Sequence, residues 1–179
     1  MASDQPFKLR MLHKFLSDAW KAGANYVIVT VPTESLRDNV FYNLPIYVAA
    51  MTNFVTSGLR DMTPEEYLEN EKTLFDMKPE MVVLNSDDRN YDTFRSFKGV
   101  RKTETFGQTG IDVRVLNSKL YNRGTEATLS IGQDVATVAT FVAGEPAVSY
   151  MACAAAIAHA LDVKTDHIID GIAEYTPED

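Results

Sequence analysis

Three uninterrupted apolar runs constrain the fold of this chain more than any other feature. They occupy residues 26–31 (Tyr-Val-Ile-Val-Thr-Val), 46–51 (Ile-Tyr-Val-Ala-Ala-Met) and 81–84 (Met-Val-Val-Leu). Each run has the length of a β-strand, and each is continuous rather than alternating, which is typical of strands covered on both faces. Such strands separated by helices predict a layered α/β fold with a mainly parallel sheet.

The helices between these runs carry their own signals. Apolar residues at helical spacing over residues 9–20, followed by Gly23, predict an amphipathic helix with a glycine at its end. Thr63-Pro64-Glu65-Glu66 has the pattern of a capping box with proline at the first helical position. A short helix is predicted after residues 85–88, with Phe94 and Phe97 buried.

The last part of the chain differs in character. Residues 102–142 are rich in Thr, Val and Gly and alternate in polarity, which predicts small antiparallel strands with at least one hairpin. Two helices close the chain over about 146–175. We therefore expect a single domain over 1–179, made of a parallel α/β part at about 7–101, the antiparallel strands and the closing helices.

Charge and cysteine content indicate which cellular environment and which classes of partner the chain is suited to. The net charge is −8, which argues against a nucleic-acid or anionic-membrane surface. The single cysteine, Cys153, excludes a disulfide framework and favours a reducing, cytoplasmic location, and it is predicted to be a buried small residue. Neither a signal peptide nor an apolar run of membrane-spanning length occurs in the sequence.

The sequence lacks the common catalytic motifs of α/β proteins. The 179 residues contain no Gly-x-x-x-x-Gly-Lys-[Ser/Thr] loop, no Gly-x-Gly-x-x-Gly loop and no Gly-x-Ser-x-Gly turn. The three histidines, His13, His159 and His167, are not spaced as metal ligands, so no metal site is predicted. From these residues alone, the function of the α/β domain stays open.

The order of several short segments resembles the central domain of the Mur ligases. These are the ATP-dependent enzymes that add amino acids to the UDP-N-acetylmuramoyl peptide of the bacterial cell wall, and the branch that adds the third residue is the most similar. The matching segments are Met51-Thr52-Asn53-Phe54, Gly58-Leu59-Arg60-Asp61, Tyr67 with Lys72, Leu74 and Phe75, Val83-Leu84-Asn85-Ser86-Asp87-Asp88, and the closing helices around Leu161-Asp162-Val163.

The resemblance implies an ATP and magnesium site, and the sequence departs from it at the residues that matter most. The family's phosphate loop has no counterpart in these residues. A magnesium-binding Glu is replaced by Thr30, and an Asp-His pair by Ser57-Gly58. An adenine-contacting Asn-x-x-Asn is replaced by Ala147 and Tyr150.

One family feature is retained. Lys72 matches the lysine that the family carbamylates to support a second magnesium ion. The interpretation we favour for Lys72 is a solvated lysine paired with Glu69 or Asp76 on the same helix.

Two functions follow from these departures. The first is a degenerate Mur-ligase-like domain, a pseudoenzyme with a binding or scaffolding role that needs no cofactor and is not catalytic alone. The alternative is a fragment of an active ATP-dependent ligase. A third idea retains binding of a UDP-muramoyl peptide or nucleotide; the candidate contacts are Thr52, Asn53, Asn85, Asp87 and Asp88. Turn and strand-end capping is the competing explanation for these residues.

The missing phosphate-loop strand also leads to an expectation about assembly. Without it, a strand at residues 26–31 lacks a neighbour, and unpaired backbone groups are costly. We therefore expect either re-pairing of the sheet with fewer strands, or a homo-oligomer or protein partner that covers the exposed edge.

Overall fold

The computed structural model of the chain describes residues 8–55 and 62–176. The chain divides into two compact units. A helical unit takes in Met1–Pro45 and Thr56–Met77, and a sheet unit takes in Ile46–Val55 and Lys78–Asp179.

The helical unit contains α1 (Leu9–Lys21), α2 (Thr33–Arg37) and α3 (Pro64–Asp76). The end of α1 is as predicted: Gly23 has a φ of +79°, and its N–H donates to the carbonyl of Trp20 at 3.0 Å. The capping box of α3 is also confirmed. The Thr63 hydroxyl accepts from the Glu66 N–H at 3.2 Å, and the Glu66 carboxylate accepts from the Thr63 N–H at 2.8 Å.

The predicted strand at residues 26–31 is wrong. These residues are not in a β-strand, and Tyr26, Val27 and Ile28 are exposed. The apolar run has the composition of a buried strand, but strand structure also requires a neighbour that accepts and donates backbone hydrogen bonds. No described residue supplies such a neighbour.

The sheet unit is built on six strands in the order β1-β2-β3-β4-β5-β6. The strands are β1 (Val48–Met51), β2 (Met81–Asn85), β3 (Lys102–Gly107), β4 (Val113–Tyr121), β5 (Gly124–Ile131) and β6 (Asp134–Thr140). The pairs from β1 to β4 are parallel, and β4-β5-β6 are antiparallel. The predicted fold class, a layered and mainly parallel α/β sheet with a small antiparallel region, is confirmed.

The antiparallel region is shorter than expected. Residues 102–107 form β3, which pairs in parallel with β2, so the antiparallel part begins at Val113 rather than at residue 102. The sequence did not indicate that β3 lies inside the sheet. Lys102, Thr103 and Glu104 are polar, and polar residues are typical of an exposed strand. The predicted hairpin is formed by β5 and β6. Ile131 and Asp134 are the paired residues next to the turn.

The helices of the sheet unit are α4 (Tyr91–Phe94), α5 (Glu145–Ala160) and α6 (Thr165–Glu174). Helix α5 packs on the sheet with small residues, which lets its backbone approach the strands closely. Its buried residues are Ala147, Met151, Ala152, Cys153, Ala155, Ala156 and Ala160. All five residues of β2 are buried beneath this layer. No helix in the described ranges is long and apolar enough to cross a membrane.

Candidate functional site at the carboxyl edge of the parallel strands

The carboxyl ends of β1, β2 and β3 meet at one edge of the sheet because the three strands are parallel and adjacent. Ligands of open α/β sheets bind outside such an edge. Three loops leave it: residues 52–54 after β1, 86–90 after β2 and 108–110 after β3. The predicted contacts Thr52, Asn53, Asn85, Asp87 and Asp88 all lie on the first two of these loops or at the end of β2.

Asn85, the last residue of β2, joins two of the loops. Its side-chain Nδ2 donates to the carbonyl of Thr52 at 2.7 Å, and its Oδ1 accepts from the N–H of Asp87 at 2.9 Å. Only 7% of Asn85 is exposed. Both the donor and the acceptor of the side-chain amide therefore form hydrogen bonds within the protein. Asn85 holds the two loops together and is not available as a surface group.

The Asp87 carboxylate holds the loop after β3. It accepts from the N–H of Gln108 at 2.5 Å, from the N–H of Thr109 at 3.0 Å and from the Thr109 hydroxyl at 2.8 Å. Gly107 permits this close approach. Its φ is +128°, and a Cβ placed there would lie 2.5 Å from Oδ2 of Asp87, so a larger residue would displace the carboxylate.

The Asp88 carboxylate ties the loop after β2 to the loop after β1. Its Oδ2 accepts from the N–H of Phe54 at 2.6 Å, and its Oδ1 accepts from the N–H of Asn90 at 2.8 Å. The Arg89 guanidinium lies 5.9 Å from the centre of the Phe54 ring, within the range of a cation–π contact.

Both acidic residues of the edge are thus engaged by backbone N–H groups. A carboxylate that already accepts two or three hydrogen bonds has few lone pairs left for a metal ion or for orienting a phosphate. Thr52 and Asn53 are exposed at the edge, and Asn85 and Asp88 hold the backbone on either side of them. Other exposed residues of the three loops are Asp87, Arg89, Gln108 and Thr109.

The remaining predicted site residues lie elsewhere. Ser57 and Gly58 fall outside the described residues. Thr30 belongs to the helical unit, where it is exposed and not at the end of a strand. Lys72 lies on α3 in the same unit, and its Nζ pairs with Oε1 of Glu69 at 2.7 Å, which is one of the two predicted pairings.

The two positions matched to adenine-contacting residues lie on the first turns of α5. Ala147 is buried, and Tyr150 is exposed. Ala147 packs in the core rather than facing solvent, and an alanine side chain offers no hydrogen bond to a base.

Two glutamates that form buried or part-buried side-chain contacts were not predicted from the sequence. Glu71 on α3 accepts a hydrogen bond from the Thr33 hydroxyl of α2. Burial raises the pKa of the Glu71 carboxyl, and the nearby charge of Glu34 also raises it, while the Thr33 hydrogen bond acts in the opposite direction. No motif marks this residue, because its partner is 38 positions away in the sequence.

The second is Glu104 of β3, which is 1% exposed. Its Oε1 lies 2.6 Å from Nζ of Lys102 and 2.9 Å from Nδ1 of His159, and its buried Oε2 has no hydrogen-bond partner among residues 8–55 and 62–176. An acidic residue in the middle of a strand covered on both faces is the signal that could have found it. In the described part of the chain, no group of three or more His, Cys, Asp or Glu side chains is arranged to hold a metal ion.

Comparison with known proteins supports the fold assignment. No protein-family model matches the sequence, and no curated protein matches it. Solved structures do match. A UDP-N-acetylmuramoyl-L-alanyl-D-glutamate–2,6-diaminopimelate ligase matches with a TM-score of 0.85 and 20% identity, over 94% of this chain and 36% of that one.

Two further matches belong to the same group. MurF from Acinetobacter baumannii matches with a TM-score of 0.68 and 21% identity, over 74% of this chain and 30% of that one. MurF ligase from Thermotoga maritima in complex with ADP matches with a TM-score of 0.61 and 19% identity, over 82% of this chain and 34% of that one.

These likenesses define the class of fold. The chain has a Mur-ligase-like fold, and the resemblance inferred from the segments Thr52-Asn53 and Asn85-Asp88 is confirmed at that level. The chain spans about a third of the length of the solved structures it matches.

Proposed function

We propose that this chain is a non-catalytic domain with a Mur-ligase-like fold that binds a UDP-muramoyl peptide at the carboxyl edge of β1–β3. The observation that carries the proposal is the engagement of Asp87 and Asp88 by backbone N–H groups. The edge is braced by hydrogen bonds within the protein, and its exposed neutral polar residues, Thr52, Asn53, Gln108 and Thr109, outnumber its exposed charged residues, Asp87 and Arg89. Such a surface suits hydrogen bonding to a sugar or peptide amide better than stabilisation of a metaphosphate-like charge.

Binding is assigned to Thr52 and Asn53. Their side chains are exposed at the edge, whereas the Thr52 carbonyl and the Phe54 N–H on either side are held by Asn85 and Asp88. A loop fixed at both ends loses less conformational entropy when a ligand binds. The ligand class comes from the matched diaminopimelate ligase, whose name includes UDP-N-acetylmuramoyl-L-alanyl-D-glutamate.

We expect no turnover because the residues named here supply little charge stabilisation. Phosphoryl transfer depends on metal ions and cationic groups that neutralise developing negative charge. Thr30 offers a neutral hydroxyl where the family has a carboxylate, and Ala147 offers no polar contact. The two acidic residues of the edge already accept two or three hydrogen bonds each. We therefore expect no ATP hydrolysis by these 179 residues.

Phosphate release tests this part of the proposal. The chain is incubated with ATP, magnesium, UDP-N-acetylmuramoyl-L-alanyl-D-glutamate and diaminopimelate, and phosphate is measured against a buffer control. We expect release at the background rate. Magnesium-dependent release above background that disappears in Lys72→Ala would overturn the non-catalytic assignment.

A second function is favoured by one specific observation, the match over only about a third of each ligase structure. In this alternative, the residues form part of an active ATP-dependent amide ligase whose phosphate loop lies in another segment. The full coding sequence decides between the two. A Gly-Lys-Thr loop upstream of these residues, together with ligase activity of the longer protein, favours the alternative.

A further inference from the structure

The hydrogen bonds of the carboxyl edge continue beyond its three loops and reach β4. Asp87 holds the backbone of the loop after β3, and in the same loop the carbonyl of Gly110 accepts from Nε of Arg114 at 3.0 Å. Arg114 is paired with Gly107 in the register of β3 and β4, so it lies where β4 begins and β3 ends. The bond to Gly110 therefore keeps the Arg114 guanidinium at this edge of the sheet.

The acceptor of this bond is closely confined. A Cβ at Gly110 would lie 2.2 Å from the carbonyl oxygen of Val113 and 2.8 Å from the backbone nitrogen of Gly107, so the turn admits no side chain at this position. The Gly110 N–H donates to the Gly107 carbonyl at 3.3 Å. A guanidinium anchored to such a turn through Nε loses less conformational entropy when it binds a ligand.

The other two nitrogen atoms of the guanidinium are available for a ligand. Arg114 is exposed, and its Nη1 and Nη2 have no hydrogen-bond or ion-pair partner among residues 8–55 and 62–176. The acidic side chains close to this edge are engaged elsewhere. Asp87 and Asp88 accept from backbone N–H groups, and Asp112 accepts from the N–H and the hydroxyl of Thr105 at 2.7 and 3.2 Å.

We propose that Arg114 recognises an anionic group of the UDP-muramoyl peptide, by donating from Nη1 and Nη2 to two oxygen atoms of a carboxylate or a phosphate. The assignment rests on the ligand site proposed above. The planar guanidinium fits such an oxygen pair with two parallel hydrogen bonds. The net charge of the chain is −8, so a negatively charged ligand needs a local cation where it binds.

The ligand is long enough to contact Arg114 and the loop after β1 together. Neighbouring strands lie about 4.8 Å apart. Three such intervals separate β1 from β4, which gives roughly 14 Å along the edge. An extended dipeptide spans up to about 7 Å, and the sugar and the diphosphate add to this length. A ligand held at Thr52 and Asn53 therefore reaches Arg114 with one of its charged groups.

Calorimetric titration of the 179-residue chain with UDP-N-acetylmuramoyl-L-alanyl-D-glutamate tests the role of Arg114. Arg114→Gln should raise the dissociation constant at least about tenfold, because charge-assisted hydrogen bonds are lost. Arg114→Lys keeps the charge but not the planar pair of donors, and it should give an intermediate value. Arg123→Gln is the matched control. It makes the same change of charge in the exposed turn at the opposite end of β4, and it should leave the dissociation constant unchanged.

Two partial ligands identify the anionic group. UDP-N-acetylglucosamine carries the diphosphate without a carboxylate, and N-acetylmuramoyl-L-alanyl-D-glutamate carries carboxylates without a phosphate. A weaker affinity of Arg114→Gln for the first ligand assigns a phosphate to Arg114, and a weaker affinity for the second assigns a carboxylate.

The results separate this assignment from the proposed function. Saturable binding of the complete ligand that is equal in the parent chain and in Arg114→Gln, or an equal loss in Arg123→Gln, would overturn the role of Arg114 and leave the ligand site standing. An absence of binding by the parent chain would overturn both. Thermal unfolding of each variant, followed by circular dichroism and matching that of the parent chain, shows that a loss of affinity is not a loss of folding.

Discussion

Oδ2 of Asp88 accepts a hydrogen bond from the backbone N–H of Phe54 at 2.6 Å, across 34 positions of the sequence. This bond connects the loop after β1 to the loop after β2 and holds Thr52 and Asn53 at the carboxyl edge of the sheet. Asp88, which the sequence suggests as a ligand contact, therefore has a structural role: it holds the two loops together. We call this hydrogen bond the clamp.

Removing this clamp should destabilise the protein. Asp88→Ala leaves the part-buried Phe54 N–H without its acceptor, and we expect a loss of about 1–3 kcal/mol in the free energy of unfolding, measured by urea denaturation. Asp92→Ala is the control. Asp92 is exposed and pairs with Arg95, so this substitution should cost less than about 1 kcal/mol. Equal costs for the two variants would contradict the clamp.

Local sequence patterns predict some features of this edge but not the contacts between its loops. The apolar run at residues 81–84 predicts that Asn85 and Asp88 lie at the end of a strand. The capping box of α3 is predicted by four adjacent residues, Thr63 to Glu66. The partners of Asp87 and Asp88 are backbone N–H groups of other loops, and no local pattern specifies them.

The error at residues 26–31 has a related cause. The composition of the run records a preference for strand structure, but pairing depends on a neighbouring strand. Glu104 shows the opposite case: a charged residue in a central strand is unfavourable on its own, and Lys102 and His159, brought from β3 and α5, make it tolerable.

Glu71 should make stability depend on pH in a predictable direction. Because burial raises its pKa in the folded state above the ordinary value of 4.5, the folded protein binds this proton more tightly than the unfolded chain. The stabilisation from Glu71 is therefore present below pH 4.5 and is lost as pH rises through the folded-state pKa.

Glu71→Gln tests this dependence, because glutamine keeps an acceptor for Thr33 without a charge. We expect the variant to unfold at a higher temperature than the parent chain at neutral pH, and the difference to shrink as pH falls to about 4. Glu80→Gln, at an exposed position, should show a smaller difference at neutral pH. A Glu71→Gln protein that is less stable than the parent at neutral pH would contradict the predicted destabilisation by the charged Glu71 carboxylate.

Cys153 should be unreactive while the protein is folded. Its burial on α5 raises the pKa of the thiol from 9.0 to about 12, so the thiolate fraction at pH 8 falls about a thousandfold. A colorimetric thiol reagent should therefore react with Cys153 only after denaturant is added. Rapid reaction of the native protein would show that the α5 layer opens.

Lys72 should be unmodified. Its ammonium group pairs with Glu69, and a carbamate would place negative charge beside that carboxylate. Electron density from a crystal grown with bicarbonate should show a plain lysine side chain. Density for a carboxylated Lys72 would restore one part of the family's metal site and weaken the non-catalytic assignment.

The most direct measurement of the central claim is a calorimetric titration of the chain with UDP-N-acetylmuramoyl-L-alanyl-D-glutamate. We expect saturable binding that Asn53→Ala weakens by about tenfold, equivalent to about 1.4 kcal/mol for a lost hydrogen bond. Asn122→Ala, an exposed asparagine in the turn between β4 and β5, should leave binding unchanged. An absence of binding heat, or an equal loss in both variants, would contradict a ligand site at the carboxyl edge of β1–β3.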